Sequence, residues 1–100
     1  MNKAVAIVVF AGVQSLDVSG PMDVFAEANR FLAPQDHYRL EVIGVEPGLM
    51  PCSNGLVLQA HRHFSEALDA YDLLLVAGGP QLPGLDFGPA FAAAITRWRL

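Results

Sequence analysis

Ala4-Val5-Ala6-Ile7-Val8-Val9-Phe10 runs through Ala11-Gly12-Val13-Gln14-Ser15 into Leu16-Asp17-Val18-Ser19-Gly20-Pro21-Met22-Asp23-Val24-Phe25, and the fold is decided by this order. The opening apolar run, rich in β-branched side chains, reads as a parallel strand covered on both faces. Gly20 stands where an N-cap belongs, Pro21 at the first helical position, where its missing N–H costs nothing, and Asp23 in the positive first turn. The spacing predicts a helix from Pro21 to about Leu32. Val24, Phe25, Ala28, Phe31 and Leu32 form its apolar stripe, Glu27 and Arg30 lie outside it, and Ala33-Pro34-Gln35-Asp36 ends it. The loop that leaves the carboxyl end of the strand lies where open α/β sheets bind ligands, so its acidic residue, Asp17, is the first candidate site residue.

Working outward, Tyr38 to Val45 alternates as a second strand, placed beside the first by a right-handed crossover. Pro47-Gly48 breaks it, Ser53-Asn54-Gly55 is a turn, and Leu56 to Ala60 reads as a short strand at the sheet edge. His61 to Asp69 reads as a short helical turn. Leu73-Leu74-Leu75-Val76-Ala77 is a buried strand, entered through Tyr71-Asp72 and left at Gly78-Gly79-Pro80, with Gln81 to Asp86 as loop. A last helix starts near Gly88-Pro89, with Phe91, Ile95 and Trp98 on one face for core packing and Thr96, Arg97 and Arg99 opposite. These elements describe an α/β protein, a flavodoxin-like three-layer sandwich around a mostly parallel sheet. Residues 1–100 make an incomplete domain of that kind, its N-terminal half, because the last helix should feed another strand. Leu73 to Ala77 is then left as an apolar edge with open N–H and C=O groups, which predicts poor solubility or a partner that covers it.

A chain of 100 residues makes one domain at most, and at this size about 60–65% of the extended-state surface can be buried. Hydrophobic residues at 53% and a mean hydropathy of +0.37 fit strands covered on both faces and exclude disorder. No apolar run approaches the roughly 20 residues that cross a bilayer, and no cleavage site follows Met1-Asn2-Lys3, so the expectation is a cytoplasmic protein with no membrane partner. A net charge of −4 with 6 Lys and Arg argues against nucleic acid binding by this chain alone, because such affinity comes mostly from counterion release by basic side chains.

Gly78-Gly79-Pro80 ends a strand at the ligand-facing side of the sheet, where successive glycine N–H groups can turn toward an anion or oxyanion. A plain turn is the competing reading, as a cap on its own loop or helix is for Asp17. There is no Gly-x-Gly-x-x-Gly and no Walker motif, and no cofactor is expected. Cys52, the single cysteine, follows Pro51, has no adjacent His, and sits away from any strand-to-helix elbow, so it reads as a small packing residue rather than a nucleophile. His61 and His63 face one side of an extended segment. A metal needs further ligands that His37 and Glu66 do not supply at any set geometry, so they read as exposed histidines and no metal is expected. No Ser-His-Asp or paired-carboxylate arrangement can be assembled.

Leu16-Asp17-Val18-Ser19-Gly20-Pro21-Met22-Asp23-Val24-Phe25, with Ser53-Asn54-Gly55-Leu56 and Tyr71-Asp72-Leu73-Leu74-Leu75-Val76-Ala77-Gly78-Gly79, resembles the ThiJ/PfpI superfamily of class I glutamine-amidotransferase-like domains, over nearly the whole chain. More narrowly it resembles the N-terminal domain of AraC-type transcriptional regulators. Asp23 stands where those regulators often have Glu, and Ala77 where the enzymes often have Pro. In the superfamily enzymes a nucleophilic Cys sits on an elbow after the next strand, beyond Leu100. The resemblance implies that Asp17 matches the acidic residue bonding that nucleophile, and Gly79, with Pro80, the loop of the oxyanion site.

What the resemblance implies is an effector-sensing and dimerisation domain of a regulator, not catalytic by itself, with a small-molecule effector and a homodimer as partners in the parent protein. The alternative is the N-terminal part of a Cys-dependent enzyme resembling isonitrile hydratase, in which Asp17 is catalytic. A third reading is a stand-alone binding protein that completes its sheet by dimerising through residues 73–77.

Overall fold

The computed structural model describes residues 3–66, 70–80 and 87–99, with side chains to residue 96. Strand β1 (Lys3–Val9) is buried from Ala4 onward and lies at the centre of the molecule. It pairs in parallel with β2 (Tyr38–Gly44) on one side and with β6 (Leu73–Val76) on the other. A two-residue strand, β5 (Arg62–His63), extends the sheet beyond β2, giving the all-parallel order β5-β2-β1-β6. The helices are α1 (Leu16–Asn29) and α2 (Pro89–Arg99). The three-layer α/β arrangement expected from the sequence is the one observed.

The chain goes from β1 through α1 to β2, then returns to the opposite flank of β1 to form β6. The strand order therefore reverses at β1. The crevice outside the carboxyl ends of β1 and β6 is the topological switch point of the sheet.

Helix α1 begins five residues earlier than its Pro21 predicts, at Leu16, and it ends at Asn29 rather than Leu32. Pro21 falls in the second turn, where its ring removes only the bond its N–H would have made to the Asp17 carbonyl. The first turn closes without it: Val18 N and Ser19 N donate to the Ser15 carbonyl at 3.0 and 2.9 Å. The inward stripe is also different from the expected one. Val18 is buried, Met22 packs on the core, Phe25 stacks on Tyr38 with ring centroids 4.8 Å apart, and Val24 and Phe31 are 67% and 81% exposed. Asn29 closes the crossover, its amide donating to the Tyr38 carbonyl at 2.9 Å and its Oδ1 accepting from Tyr38 N at 2.7 Å.

Two further expectations are corrected. Leu56 to Ala60 does not edge the main sheet; β4 (Val57–Gln59) pairs antiparallel with β3 (Leu49–Pro51) as a separate ribbon. The edge position belongs to β5, where the sequence suggests a helical turn. Backbone pairing decides this: His61 N donates to the Val42 carbonyl at 2.8 Å, Phe64 N to the Gly44 carbonyl at 3.0 Å, and Arg62 bonds Glu41 of β2 at 2.6 Å.

Strand β6 is an edge strand among the described residues, with Leu73 and Val76 exposed. Its start is tied to β1 by Asp72, whose N donates to the Ala4 carbonyl and whose carboxylate accepts from Ala4 N, both at 2.8 Å. Phe10, at the end of β1, contacts Phe87, which stacks edge-on against Phe91 of α2, as does Phe64. Ala94 is buried and Ile95 packs on the core, in line with the expected apolar face of α2. Trp98, placed on that face from the sequence, and the loop reading of Gln81 to Asp86 lie outside the described residues or side chains.

Candidate functional site at the strand-order reversal

The loop from β1 to α1 is the hub of the site. Gly12 takes a positive φ of 92°, and Val13 N turns back to the Phe10 carbonyl at 3.1 Å. On one flank the hub is fastened to the β3–β4 ribbon. Gly12 N donates to the Pro51 carbonyl, and Ser53 N to the Val13 carbonyl, each at 2.8 Å. Asn54, at the ribbon tip, donates from Nδ2 to Ser15 Oγ at 3.0 Å and accepts at Oδ1 from Leu56 N.

On the other flank the hub meets the end of β6. Gly78 N donates to Asp17 Oδ2 at 3.0 Å, and Gln14 N donates to the Gly78 carbonyl at 2.8 Å. Gly78 is thus held through both its N–H and its carbonyl. A Cβ on Gly78 would come within 2.7 Å of Asp17 Oδ2, and one on Gly79 within 2.8 Å of the Gly12 carbonyl oxygen and 3.2 Å of the Phe10 ring. Backbone approach demands glycine at 79, whereas at 78 a methyl group would meet only the end of the Asp17 side chain and displace it from its bond. Asp17 and Gly78-Gly79, picked from separate stretches of the sequence, are brought together; Pro80 follows them at the exposed end of the same segment.

The carboxylate of Asp17 is exposed, sits in the first turn of α1, where the helix dipole favours negative charge, and acts as an acceptor for a backbone N–H. Cys52 is buried in the ribbon, its N donating to the Leu56 carbonyl, and burial pushes its thiol up from the ordinary value. That is the environment of a packing thiol. His61 and His63 do not converge on one point: His61 Nδ1 accepts from Val42 N at 2.8 Å, and His63 Nδ1 lies 2.8 Å from Ser65 Oγ. Reading the sequence missed Ser15, Gln14 and Asn54 as parts of this hub; the Ser53-Asn54-Gly55 turn signal was the available clue.

The sequence pattern of the DJ-1/PfpI family matches residues 3–95. The chain belongs to the DJ-1/PfpI family. A protein of Streptomyces lividans described as an uncharacterized protein in the cpoL 5′ region is 41% identical over 90 residues, 90% of this chain. The present chain spans 61% of that relative's length.

Solved structures share the fold. An AraC family transcriptional regulator from Pseudomonas putida superposes with a TM-score of 0.78 at 23% identity, over 95% of this chain and 57% of that one. Oxidized DJ-1 of Toxoplasma gondii gives 0.73 at 18%, over 95% and 49%. A two-domain protein with DJ-1/ThiJ/PfpI-like and ferritin-like domains from Anabaena variabilis gives 0.76 at 19%, over 97% and 26%. No helix among the described residues is long and apolar enough to cross a membrane.

Proposed function

We propose that this DJ-1/PfpI domain is the N-terminal part of an effector-sensing and dimerisation domain in an AraC-type transcriptional regulator, cytoplasmic, with DNA contact made by a separate module of the parent. The observation that carries the reading is the use of Asp17. Its carboxylate is fastened to the Gly78 N–H at the switch-point crevice, where it links the first turn of α1 to the segment after β6 and can respond to a small molecule that competes for that N–H. The thiol of Cys52, buried and pushed up in pKa, supplies no nucleophile to that crevice. The fold likeness to the regulator from Pseudomonas putida and the Ala77-Gly78-Gly79 ending of β6 agree with this reading.

The test is to express the coding sequence with its native downstream frame and assay binding to its own upstream DNA. The expected outcome is specific DNA binding by a dimer, retained in Asp17→Asn but with an altered response to effector. Turnover of an isonitrile by the same protein, lost in Asp17→Asn, together with no DNA binding, would replace the regulator by a hydratase-like enzyme.

A further inference from the structure

A cavity of about 220 Å³ lies between α1, β2 and the β3–β4 ribbon, lined by none of Asp17, Gly78 and Gly79. Its walls are Val18, Met22, Val42, Leu56 and Leu58. Val18 and Val42 are buried and form a firm floor, whereas Met22 and Leu58 are half-buried and can adapt, methionine especially because its chain is unbranched. A cavity of about 150 Å³ suffices for benzene, so this one takes a single ring with a short substituent.

The polar side chains on the lining are those of Ser15, Ser19, Gln59 and His61, and Ser15 Oγ already accepts from Asn54. Ser19 Oγ donates its proton to the Ser15 carbonyl at 3.2 Å, so toward a ligand it serves as an acceptor. His61 accepts from Val42 N at Nδ1, which places its ring proton on Nε2 and makes it a donor. Gln59 adds an amide that can do either. Among the described residues no Asp, Glu, Lys or Arg lines the cavity, so an ionic ligand would lose its hydration without gaining a counter-charge there. The neighbouring cavity behind His61 is the opposite case, lined by Glu46, Arg62 and Glu66.

We propose that the cavity between α1 and the β3–β4 ribbon is a binding site for a small neutral molecule with an apolar ring and one hydroxyl group, the hydroxyl accepting from His61 and donating to Ser19. The first turn of α1 separates this site from the Asp17–Gly78 contact, and the proposal holds whether the parent is a regulator or an enzyme.

The test uses benzyl alcohol as probe, with benzoate and toluene as charged and hydroxyl-free controls, read by amide chemical shifts of the ¹⁵N-labelled chain. Saturable shifts at Ser19, Val42 and His61 are expected for benzyl alcohol, with benzoate and toluene each about tenfold weaker, the span of one good hydrogen bond or an unmatched charge. Ser19→Ala, an exposed helical position where alanine is well tolerated, should weaken benzyl alcohol several-fold, and Leu58→Trp should abolish the shifts by filling the cavity. Shifts that map elsewhere, no saturation, equal binding of benzoate, or an unchanged affinity in Ser19→Ala would each overturn the proposal. Should Leu58→Trp fail to fold, Ser19→Ala and the controls decide it.

Discussion

Asp17 Oδ2 lies 3.0 Å from the N of Gly78, joining the first turn of α1 to the end of β6 across 61 residues of sequence. Replacing Asp17 by Ala removes a charge-assisted acceptor at an exposed site, and the expected cost is about 1 kcal/mol. Asp17→Asn keeps an acceptor oxygen without the charge and should cost about half as much. Urea unfolding midpoints of the two variants measure this, and equal midpoints for Asp17→Ala and the parent sequence would show that the bond adds nothing to the fold.

The two glycines at the end of β6 should respond differently to the same substitution. In Gly78→Ala the new methyl meets the far end of the Asp17 side chain, which can swing away at the cost of its bond. In Gly79→Ala it meets the Gly12 carbonyl and the Phe10 ring, which are fixed by backbone pairing and by the Phe87 contact. The expected costs are about 1 kcal/mol and about 2–3 kcal/mol. A double-mutant cycle sharpens the point: in an Asp17→Ala background, Gly78→Ala should become nearly neutral. Full additivity of the two would mean that the carboxylate is not what Gly78 accommodates.

Much of this architecture is legible in the residues themselves. The run from Ala4 to Phe10 has no polar interruption because β1 is covered on both faces and flanked on both edges, and that signature is local. The start of α1 is not legible in the same way. Pro21 imitates a first-turn residue, and only Val18, buried under the helix, shows that a turn of helix precedes it. Val24 and Phe31 share an apolar periodicity with Phe25 yet stay exposed, because the packing face is chosen by β2 and not by the helix.

Tertiary context also decided the ribbon and β5, since three-residue and two-residue strands carry too little pattern to be told from turns. At the candidate site, Asp17 and Gly78-Gly79 stand out as an acidic loop residue and a glycine pair at strand ends. Their mutual bond, across 61 residues, and the fastening of Ser15 by Asn54, across 39, depend on how distant segments of the chain meet, which no local pattern encodes.

Cys52 is placed to be slow. It is buried beneath the ribbon, and burial raises its thiol above the usual 9.0, so little thiolate is present at neutral pH. Labelling by a disulfide reagent at pH 8 should run at least roughly tenfold slower in the native chain than in urea. Equal rates would mean that the ribbon opens freely, and would reopen the case for Cys52 as a reactive group.

Glu41 makes the acid limb of stability predictable. Its side chain, 12% exposed, bonds Arg62 at 2.6 Å and also Arg39, and it accepts from the Tyr71 hydroxyl. Burial pushes its pKa up, but the Arg62 bond and charge, the Tyr71 bond and the Arg39 charge outweigh it and hold the carboxyl below 4.5. A pKa lowered by folding means that the unfolded chain binds more protons in that range, so stability rises with pH there. The contribution is fully present above about pH 4.5 and is lost as pH falls through the lower, folded-state value. Glu41→Gln is expected to cost about 1–2 kcal/mol at pH 7, since it strips two guanidinium groups of their counter-charge. The gap between parent and variant should narrow steadily below pH 4.5, measured by urea unfolding from pH 7 to pH 3. A gap that stays constant over that range would show that Glu41 keeps its ordinary pKa in the fold, and that the acid sensitivity of the domain resides in other carboxylates.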